Sequence, residues 1–355
     1  MKSAVILIKD PHDCLKYETI LSNTIELLLR SEITREAQAL LVDQINNKPD
    51  RTSKLAKYLQ IKSQLTKSLY FHINTRIDDV NVLENVLVGF YDLARRIILQ
   101  LQKSYGCPIQ IPIFTQVLFN VSDINALNKE DGKPLYGFDL IVADTKNITS
   151  LIQQFNYQGN NSATIKSFEL DEMVGEVQDT LFYENNDKVK QVKVGCVGGT
   201  FDNLHDGHKI LLSIGSFLST DSLIIGVSIA AMLAKKKFDE FLQSYKARHD
   251  TVMGFVKRLK PNDDYKVNIH ELNDMYGPTA FVANMDLLLV TEETAKGGGM
   301  VNDKRKENGL NELEIFVVKL IEDDKRVDDK ISSTFIREGQ FHEFEKLVGK
   351  VDKEE

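Results

Sequence analysis

The stretch Val192–Leu212, VKVGCVGGTFDNLHDGHKILL, decides the fold of this chain. It opens with the apolar, β-branched run Val192–Val197, which is typical of a buried strand. Gly198 and Gly199 follow, and two residues without a Cβ atom favour a tight turn and a close approach of the backbone to a ligand. A polar loop then leads to an apolar run at helical spacing from Ile210. This order predicts a phosphate site, because unpaired backbone N–H groups and the positive end of a helix dipole meet where the helix begins.

Two histidines stand at the predicted start of that helix. His205 and His208 are three residues apart, which places both imidazoles on the same face of one helical turn. A lone histidine is more often a structural residue whose hydrogen bonds are satisfied within the protein. Two of them at this spacing, directly after a glycine turn at the end of a strand, favour a ligand site.

The segment GTFDNLHDGH, residues 199–208, resembles the T/HxGH element of the nucleotidylyltransferase superfamily. Three later stretches narrow the resemblance: DMYGPT (Asp274–Thr279), TEETAKGGGMVNDKR (Thr291–Arg305) and ISSTFIR (Ile331–Arg337). Together and in this order they are similar to eukaryotic and archaeal phosphopantetheine adenylyltransferases of the monofunctional, fungal kind. The resemblance covers Val192–Arg337.

That family transfers AMP from ATP to 4′-phosphopantetheine, giving dephospho-coenzyme A and pyrophosphate in coenzyme A biosynthesis. The resemblance implies a Rossmann-like α/β domain, a parallel sheet with helices on both faces. It also implies that Mg²⁺ arrives with ATP, and no carboxylate cluster suggests a dedicated protein site for the ion. The chain contains no GxxxxGK[ST] phosphate loop, so we expect the following kinase step to belong to another protein.

The resemblance also implies roles for individual residues. His208 would donate to the α-phosphate of ATP, Thr200 would hold the attacking phosphate, and Lys236 would bridge phosphate groups. The implied ATP site comprises Gly198, Gly199, Thr200, Phe201, His205, His208, Asn302, Arg305, Ser333, Thr334 and Arg337. The implied acceptor site comprises Thr200, Lys236, Asp274 and Thr279.

Most of these assignments have a structural alternative. Thr200 could cap a turn or a helix, since threonine commonly bonds to nearby backbone. Lys235–Lys237 could be an ordinary solvated face of the protein. Ser333 and Thr334 are competent helix N-caps, which alone would explain one of them.

The glycine run Gly297–Gly299 also has two interpretations. Such runs are often flexible linkers. Its position directly after a buried strand instead predicts a mobile loop at the edge of the site. We expect this loop to present Asn302 and Arg305 to ATP, because an arginine fork suits phosphate oxygens.

Composition limits the class of protein. A length of 355 residues predicts about two domains, and the net charge of −8 argues against a general nucleic-acid binder. No apolar run approaches the length of a membrane span, and the amino terminus resembles neither a secretory signal nor a transit peptide. The three cysteines, Cys14, Cys107 and Cys196, show no metal or disulfide spacing, which favours a reducing cytoplasm.

The first half of the chain is predicted to be a second α/β domain, residues 1–182, because apolar strands alternate with helical segments. Its role is open. The polar segment 183–190 is predicted to be a linker, and 191–355 the catalytic domain. One stretch of the first half, Phe138–Thr145 (FDLIVADT), echoes Met285–Glu292 (MDLLLVTE) in the second. A duplicated fold is one explanation, but we attribute the echo to chance similarity between two buried strands.

Two other functions fit parts of the sequence. The GTFDNLHDGH segment would equally suit a cytidylyltransferase that acts on a phosphorylated alcohol, and the choice between ATP and CTP would discriminate. The large first half, which shows no evident chemistry, would suit a scaffold that assembles with other enzymes of coenzyme A synthesis. A chain beginning at Gln191 that keeps full activity but loses its partners would support the scaffold.

Overall fold

The computed structural model describes residues 1–121, 138–144, 164–168, 190–318 and 332–349. The chain forms two compact units, each built around a five-stranded sheet. The first unit comprises Met1–Arg76, Gly89–Leu181 and Gly339–Glu355, and the second comprises Ile77–Val88 and Phe182–Glu338. The main division between the units lies next to the predicted linker 183–190, and two short segments, Ile77–Val88 and Gly339–Glu355, group with the other unit. The predicted domain bounds stay a prediction. Most of the predicted linker lies outside the described residues.

The first unit is an α/β structure, as predicted, and its sheet is parallel. Its strands follow the order β3-β2-β1-β4-β5, and every neighbouring pair is parallel. Strand β1 shows why: five of its six residues are buried, and parallel strands covered on both faces require such continuous apolar runs. The strands are β1 Ser3–Ile8, β2 Lys67–Ile73, β3 Ile113–Leu118, β4 Leu140–Asp144 and β5 Thr164–Phe168.

The helices of this part of the chain begin at recognisable caps. The Thr34 side chain accepts from the N–H of Ala37, and the Asp50 side chain accepts from the N–H of Ser53. The helical segments predicted from apolar spacing between residues 18 and 101 are confirmed. The helices are α1 Glu18–Leu29, α2 Arg35–Asn46, α3 Arg51–Leu65 and α4 Val80–Tyr105.

The end of the last helix belongs to the first unit. The Glu343 carboxylate lies 3.0 Å from Lys62 Nζ and accepts from the Tyr58 hydroxyl at 3.0 Å. Glu345 pairs with Arg51 at 2.7 Å. Lys62 and Glu343 are both largely buried, so each needs the other to offset the loss of hydration.

The second unit repeats the parallel α/β architecture. Its strand order is β10-β9-β6-β7-β8, again with parallel neighbours throughout. The strands are β6 Val192–Gly199, β7 Ser219–Ser228, β8 Lys266–Leu272, β9 Leu287–Thr291 and β10 Glu314–Val318. The helices are α5 Asp206–Leu218, α6 Ala230–Leu233, α7 Tyr245–Leu259, α8 Ala295–Glu307 and α9 Ser333–Leu347, the last extending into the first unit.

Strand β6 lies between β7 and β9, where the strand order reverses direction. In open parallel sheets, ligands bind beyond the carboxyl ends of the strands at such a switch point. The glycine turn that ends β6 is therefore in the position expected for a ligand site. Within the described ranges, no helix is long and apolar enough to cross a membrane.

One local prediction was wrong. The glycine run predicted as a mobile loop is part of helix α8. A Cβ atom on Gly298 would lie 3.1 Å from Ile315, so glycine here permits close packing of the helix. Buried contacts of Val301 and Arg305 then outweigh the weak helix propensity of glycine, which costs about 1 kcal/mol per residue.

Candidate active site

The loop after β6 has an unusual backbone. Phe201 is fully buried with φ 51° and ψ 29°, and Asn203 has φ 52°. The left-handed region is uncommon for non-glycine residues and is a genuine outlier for a bulky side chain such as phenylalanine. A Cβ atom on Gly199 would lie 3.3 Å from the Phe201 ring. Gly199 thus lets the ring fold back under the strand end, and such strained segments cluster at functional sites.

The two predicted histidines meet at the start of α5. The His205 ring stacks on the His208 ring with centroids 3.8 Å apart and an interplanar angle of 25°. The Phe201 ring lies 5.1 Å from that of His208 on the loop side. The predicted placement of the two imidazoles on one face is confirmed.

Both imidazoles carry a buried nitrogen atom. Within the part of the chain that the structure describes, the Nδ1 atoms of His205 and His208 have no hydrogen-bond partner. Burial lowers the pKa of His205 to about 4, although Asp206 opposes the shift. Burial, with His205 and Lys209 nearby, holds the pKa of His208 well below its usual range. Two neutral imidazoles with unsatisfied polar atoms at a helix N-terminus form a site for a polar, anionic ligand.

A buried ion pair joins this loop to helix α9. Asp202 is fully buried, and its carboxylate accepts from Arg337 Nη1 at 2.5 Å. Arg337 also donates to the Lys237 carbonyl and to the Thr334 hydroxyl. The Ser333 hydroxyl donates to the Asp202 carbonyl at 2.9 Å. The structure thus brings the first turn of α9, with its predicted phosphate-binding hydroxyls, against the histidine loop.

Sequence reasoning gave Arg337 a direct contact with phosphate. In the structure its guanidinium is 1% exposed and attaches the helix to the loop. Whether it also reaches a phosphate oxygen is untested. Asp202 and its bond to Arg337 were missed, because 135 residues separate the partners.

Arg248 is a second residue that sequence reasoning missed. It is buried, and its guanidinium donates to the carbonyls of Thr200 at 2.7 Å, Ser228 at 2.8 Å and Gln243 at 3.1 Å. It thereby holds the ends of two strands beside the glycine turn. One signal was available: Arg248 precedes the apolar face of α7, four residues before the buried Val252.

The predicted lysine segment ends next to this network. Lys235–Lys237 are exposed, as either interpretation of the run requires. The Lys237 carbonyl accepts from Arg337 Nε at 3.1 Å, so the segment is attached to the first turn of α9. Lys236 is therefore an exposed cation on a segment fixed to the histidine loop through Arg337.

Asp274 and Thr279 stabilise the turn that contains them. Asp274 Oδ1 accepts from the N–H groups of Tyr276 at 2.8 Å and Gly277 at 2.7 Å. Gly277 has φ 47°, which favours glycine there. The Thr279 hydroxyl donates to the Tyr276 carbonyl. These bonds account for both residues locally, and contacts with an acceptor substrate stay a prediction.

Asn302 and Arg305 face the protein, contrary to the predicted presentation at the edge of the site. The Asn302 side chain exchanges two hydrogen bonds with the backbone of Leu313. Arg305 is fully buried and donates to the carbonyls of Asn311, Thr279, Val282 and Ala283. A planar guanidinium fork satisfies several backbone acceptors as well as it would a phosphate. A role of either residue in ATP binding is untested.

Comparison with known proteins agrees with this geometry. The family model described as Cytidylyltransferase-like matches residues 196–339. A phosphopantetheine adenylyltransferase of Pyrococcus furiosus is 34% identical over 164 residues, which are 46% of this chain and 99% of the archaeal protein. The chain belongs to the phosphopantetheine adenylyltransferase family.

Two yeast proteins match a similar share of the chain. The phosphopantetheine adenylyltransferase of Saccharomyces cerevisiae is 40% identical over 146 residues, 41% of this chain and 47% of that protein. An uncharacterized protein of Schizosaccharomyces pombe is 36% identical, over 44% of this chain and 51% of its own length. The chain thus spans about half the length of these two yeast relatives and nearly all of the archaeal one.

Proposed function

We propose that this chain transfers the adenylyl group of ATP to 4′-phosphopantetheine, giving dephospho-coenzyme A and pyrophosphate. The observation that carries the proposal is the stacked pair of neutral histidines, with unpartnered Nδ1 atoms, at the start of α5. Their position beyond a glycine turn at the switch point of a parallel sheet suits the phosphates of a nucleotide. The relatives named phosphopantetheine adenylyltransferase support this substrate pair.

The reaction needs positioning and charge stabilisation rather than covalent catalysis. A phosphate oxygen of 4′-phosphopantetheine attacks the α-phosphorus of ATP in line, and the bond from that phosphorus to the bridging β-phosphate oxygen breaks. The protein must align two anions that repel each other and stabilise the charge that grows on the α-phosphate. A neutral imidazole has one N–H group to donate. We assign to His208 the hydrogen bond that is donated to the α-phosphate oxygens.

Other groups around the glycine turn would hold the remaining phosphates. Thr200 follows the turn and is half-buried, and its hydroxyl can donate to an oxygen of the attacking phosphate. Lys236 is an exposed ammonium that would offset repulsion between the two substrates. Ser333 and Thr334 open α9, whose N-terminal N–H groups suit the departing pyrophosphate.

Magnesium would enter with ATP and neutralise part of the charge on its phosphates. Among the residues that the structure describes, no group of three or more His, Cys, Asp or Glu side chains could hold a metal ion. A cytoplasmic location and assembly with other enzymes of coenzyme A synthesis stay predictions.

Cytidylyl transfer is the second candidate, because the matching family model is described as Cytidylyltransferase-like. The choice of nucleotide separates the two functions. We expect the purified full chain to release pyrophosphate when ATP and 4′-phosphopantetheine are both present, and not when either is omitted. Replacement of ATP by CTP should lower the rate at least ~100-fold, about 2.7 kcal/mol of discrimination. Equal release with CTP, or release only with a different phosphorylated acceptor, would overturn the proposed substrates.

A further inference from the structure

The two units share one strand order. When the strands of each unit are numbered along the chain, their order across the sheet is third, second, first, fourth and fifth. All neighbouring strands are parallel. This order recurs in unrelated doubly wound folds. The order alone therefore shows a common architecture and no more.

A more specific match lies at the start of the fourth strand. Asp139 directly precedes β4, and its Oδ2 atom accepts from the N–H groups of Lys2 at 2.6 Å and Ser3 at 3.1 Å. Asp286 directly precedes β9, and its Oδ2 atom accepts from the N–H of Val194 at 2.8 Å. In both units a carboxylate on the fourth strand therefore anchors the beginning of the first strand.

The backbone of each aspartate repeats the match. Its N–H donates to the carbonyl of the same first-strand residue, at 3.1 Å for Asp139 and 3.0 Å for Asp286. Its carbonyl accepts from the residue that opens the fifth strand, Thr164 at 2.9 Å in the first unit and Glu314 at 3.0 Å in the second. The next residue pairs alike, Leu140 with Ala4 and Leu287 with Gly195. Asp139 and Asp286 occupy the same position in the two segments that echo each other in sequence, and their matching bonds favour duplication over the chance similarity expected above.

This register shows what stands at the glycine turn in the first unit. If Ala4 corresponds to Gly195, then Leu7 and Ile8 correspond to Gly198 and Gly199. Leu7 and Ile8 are both buried. Buried side chains therefore stand where the second unit has its glycine turn, and the close backbone approach that glycine permits is lost.

The backbone N–H groups beyond β1 are also occupied. Those of Lys9 and Asp10, which correspond to Thr200 and Phe201, donate to the hydroxyl of Tyr17 at 3.3 Å and 3.2 Å. Tyr17 is 2% exposed, so its hydroxyl sits where a phosphate oxygen would accept. The first turn of α1 carries no histidine, whereas His205 and His208 lie at the start of α5.

We propose that the first unit is a duplicated copy of the catalytic fold whose phosphate position is closed by the chain's own groups. Leu7 and Ile8 stand in place of the two glycines, and the Tyr17 hydroxyl accepts from the backbone N–H groups of Lys9 and Asp10. Within the described residues, the nucleotide site is then the one in the second unit. The inference rests on the proposed function only for the location of that site.

Counting nucleotide sites on the full chain tests the closed position. Equilibrium dialysis with α,β-methylene-ATP should give one site per chain, and the double variant H205N/H208N should lose at least ~10-fold in affinity. Two sites per chain, or one site whose affinity the double variant leaves unchanged, would overturn the inference. Absence of any binding to the wild-type chain would refute the proposed function instead, because the first unit would still be empty as inferred.

A crystal structure of the full chain tests the duplication separately. The five strands of the first unit should superpose on those of the second with Ala4 over Gly195 and Asp139 over Asp286. A superposition that requires a shifted register in the first or fourth strand would overturn the duplication. The variant Asp139→Asn provides a measurement in solution. Amide hydrogen exchange at Lys2 and Ser3 should become at least ~10-fold faster in this variant, and exchange at Val194 should do the same in Asp286→Asn. Unchanged exchange in either variant would show that the anchor is not shared.

Discussion

The ion pair between Asp202 and Arg337 offers a prediction whose size follows from the structure. Asp202 is 0% exposed and Arg337 is 1% exposed, and their atoms approach to 2.5 Å. Asp202→Ala leaves the guanidinium buried without its counter-charge, and removal of one partner of a buried pair costs about 3–5 kcal/mol. The remaining acceptors, the Lys237 carbonyl and the Thr334 hydroxyl, carry no net charge. We therefore expect the second unit to lose about 3–5 kcal/mol of unfolding free energy.

Native-state amide exchange is the suitable assay, because a chain of two units need not unfold in a single step. Exchange should be followed in peptides from the buried part of α5. The matched control is Asp250→Ala, which removes the exposed pair with Lys246, also 2.5 Å long but 85% and 53% exposed. Exposed pairs contribute about 0–1 kcal/mol, so this control should stay close to the wild type.

A double-mutant cycle makes the test stricter. Asp202→Ala leaves the Arg337 charge buried without its counter-charge, and Arg337→Met removes that charge. The double variant should therefore lose about 1–3 kcal/mol less unfolding free energy than the sum of the two single variants. If Asp202→Ala is no more destabilising than Asp250→Ala, or if the two effects simply add, the pair does not attach α9 to the histidine loop as the structure indicates.

Three further predictions concern the second unit. Arg305→Lys removes the guanidinium fork that binds four backbone carbonyls. The unfolding free energy of the second unit, measured by amide exchange, should fall by about 2–3 kcal/mol, while the KM for ATP changes less than ~3-fold. A raised KM at full stability would show a ligand role instead. Because the pKa of His205 is about 4 and that of His208 is also lowered, the unfolded state binds more protons between about pH 4 and pH 6.5, and stability should fall as the pH drops through this window. A chain with both histidines changed to glutamine should lose that dependence, and an unaltered profile would contradict the assignment. Gly199→Ala places a Cβ atom 3.3 Å from the Phe201 ring. The resulting shift of the histidine loop should lower kcat by about 10–100-fold. A wild-type kcat would show that the ring is free to move.

The parts of the site that sequence could predict depend on neighbours along the chain. The strand before Gly198, the glycine turn and the helix with His205 and His208 span only the local segment 192–218. Apolar spacing and glycine placement determine such a segment, so its structure follows from the sequence pattern. The α/β class of both units was predicted for the same reason.

The parts that sequence could not predict depend on contacts between distant segments. Arg305 shows no local sign of the backbone carbonyls that it binds, the nearest of which is six residues away. The helix through Gly297–Gly299 forms because Gly298 packs on Ile315, and tertiary packing overrides the low propensity of glycine. Arg248 alone carried a usable signal, a charge beside an apolar helix face.

The rate of dephospho-coenzyme A formation by His208→Ala tests the central claim most directly. With ATP and 4′-phosphopantetheine at saturation, loss of one donor to the developing charge should lower kcat about 10²–10³-fold, while amide exchange shows the second unit still folded. His249→Ala, which changes a partly exposed histidine on α7 that pairs with Asp250, should stay within about 2-fold of the wild type. A His208→Ala chain that forms product at the wild-type rate would contradict the account.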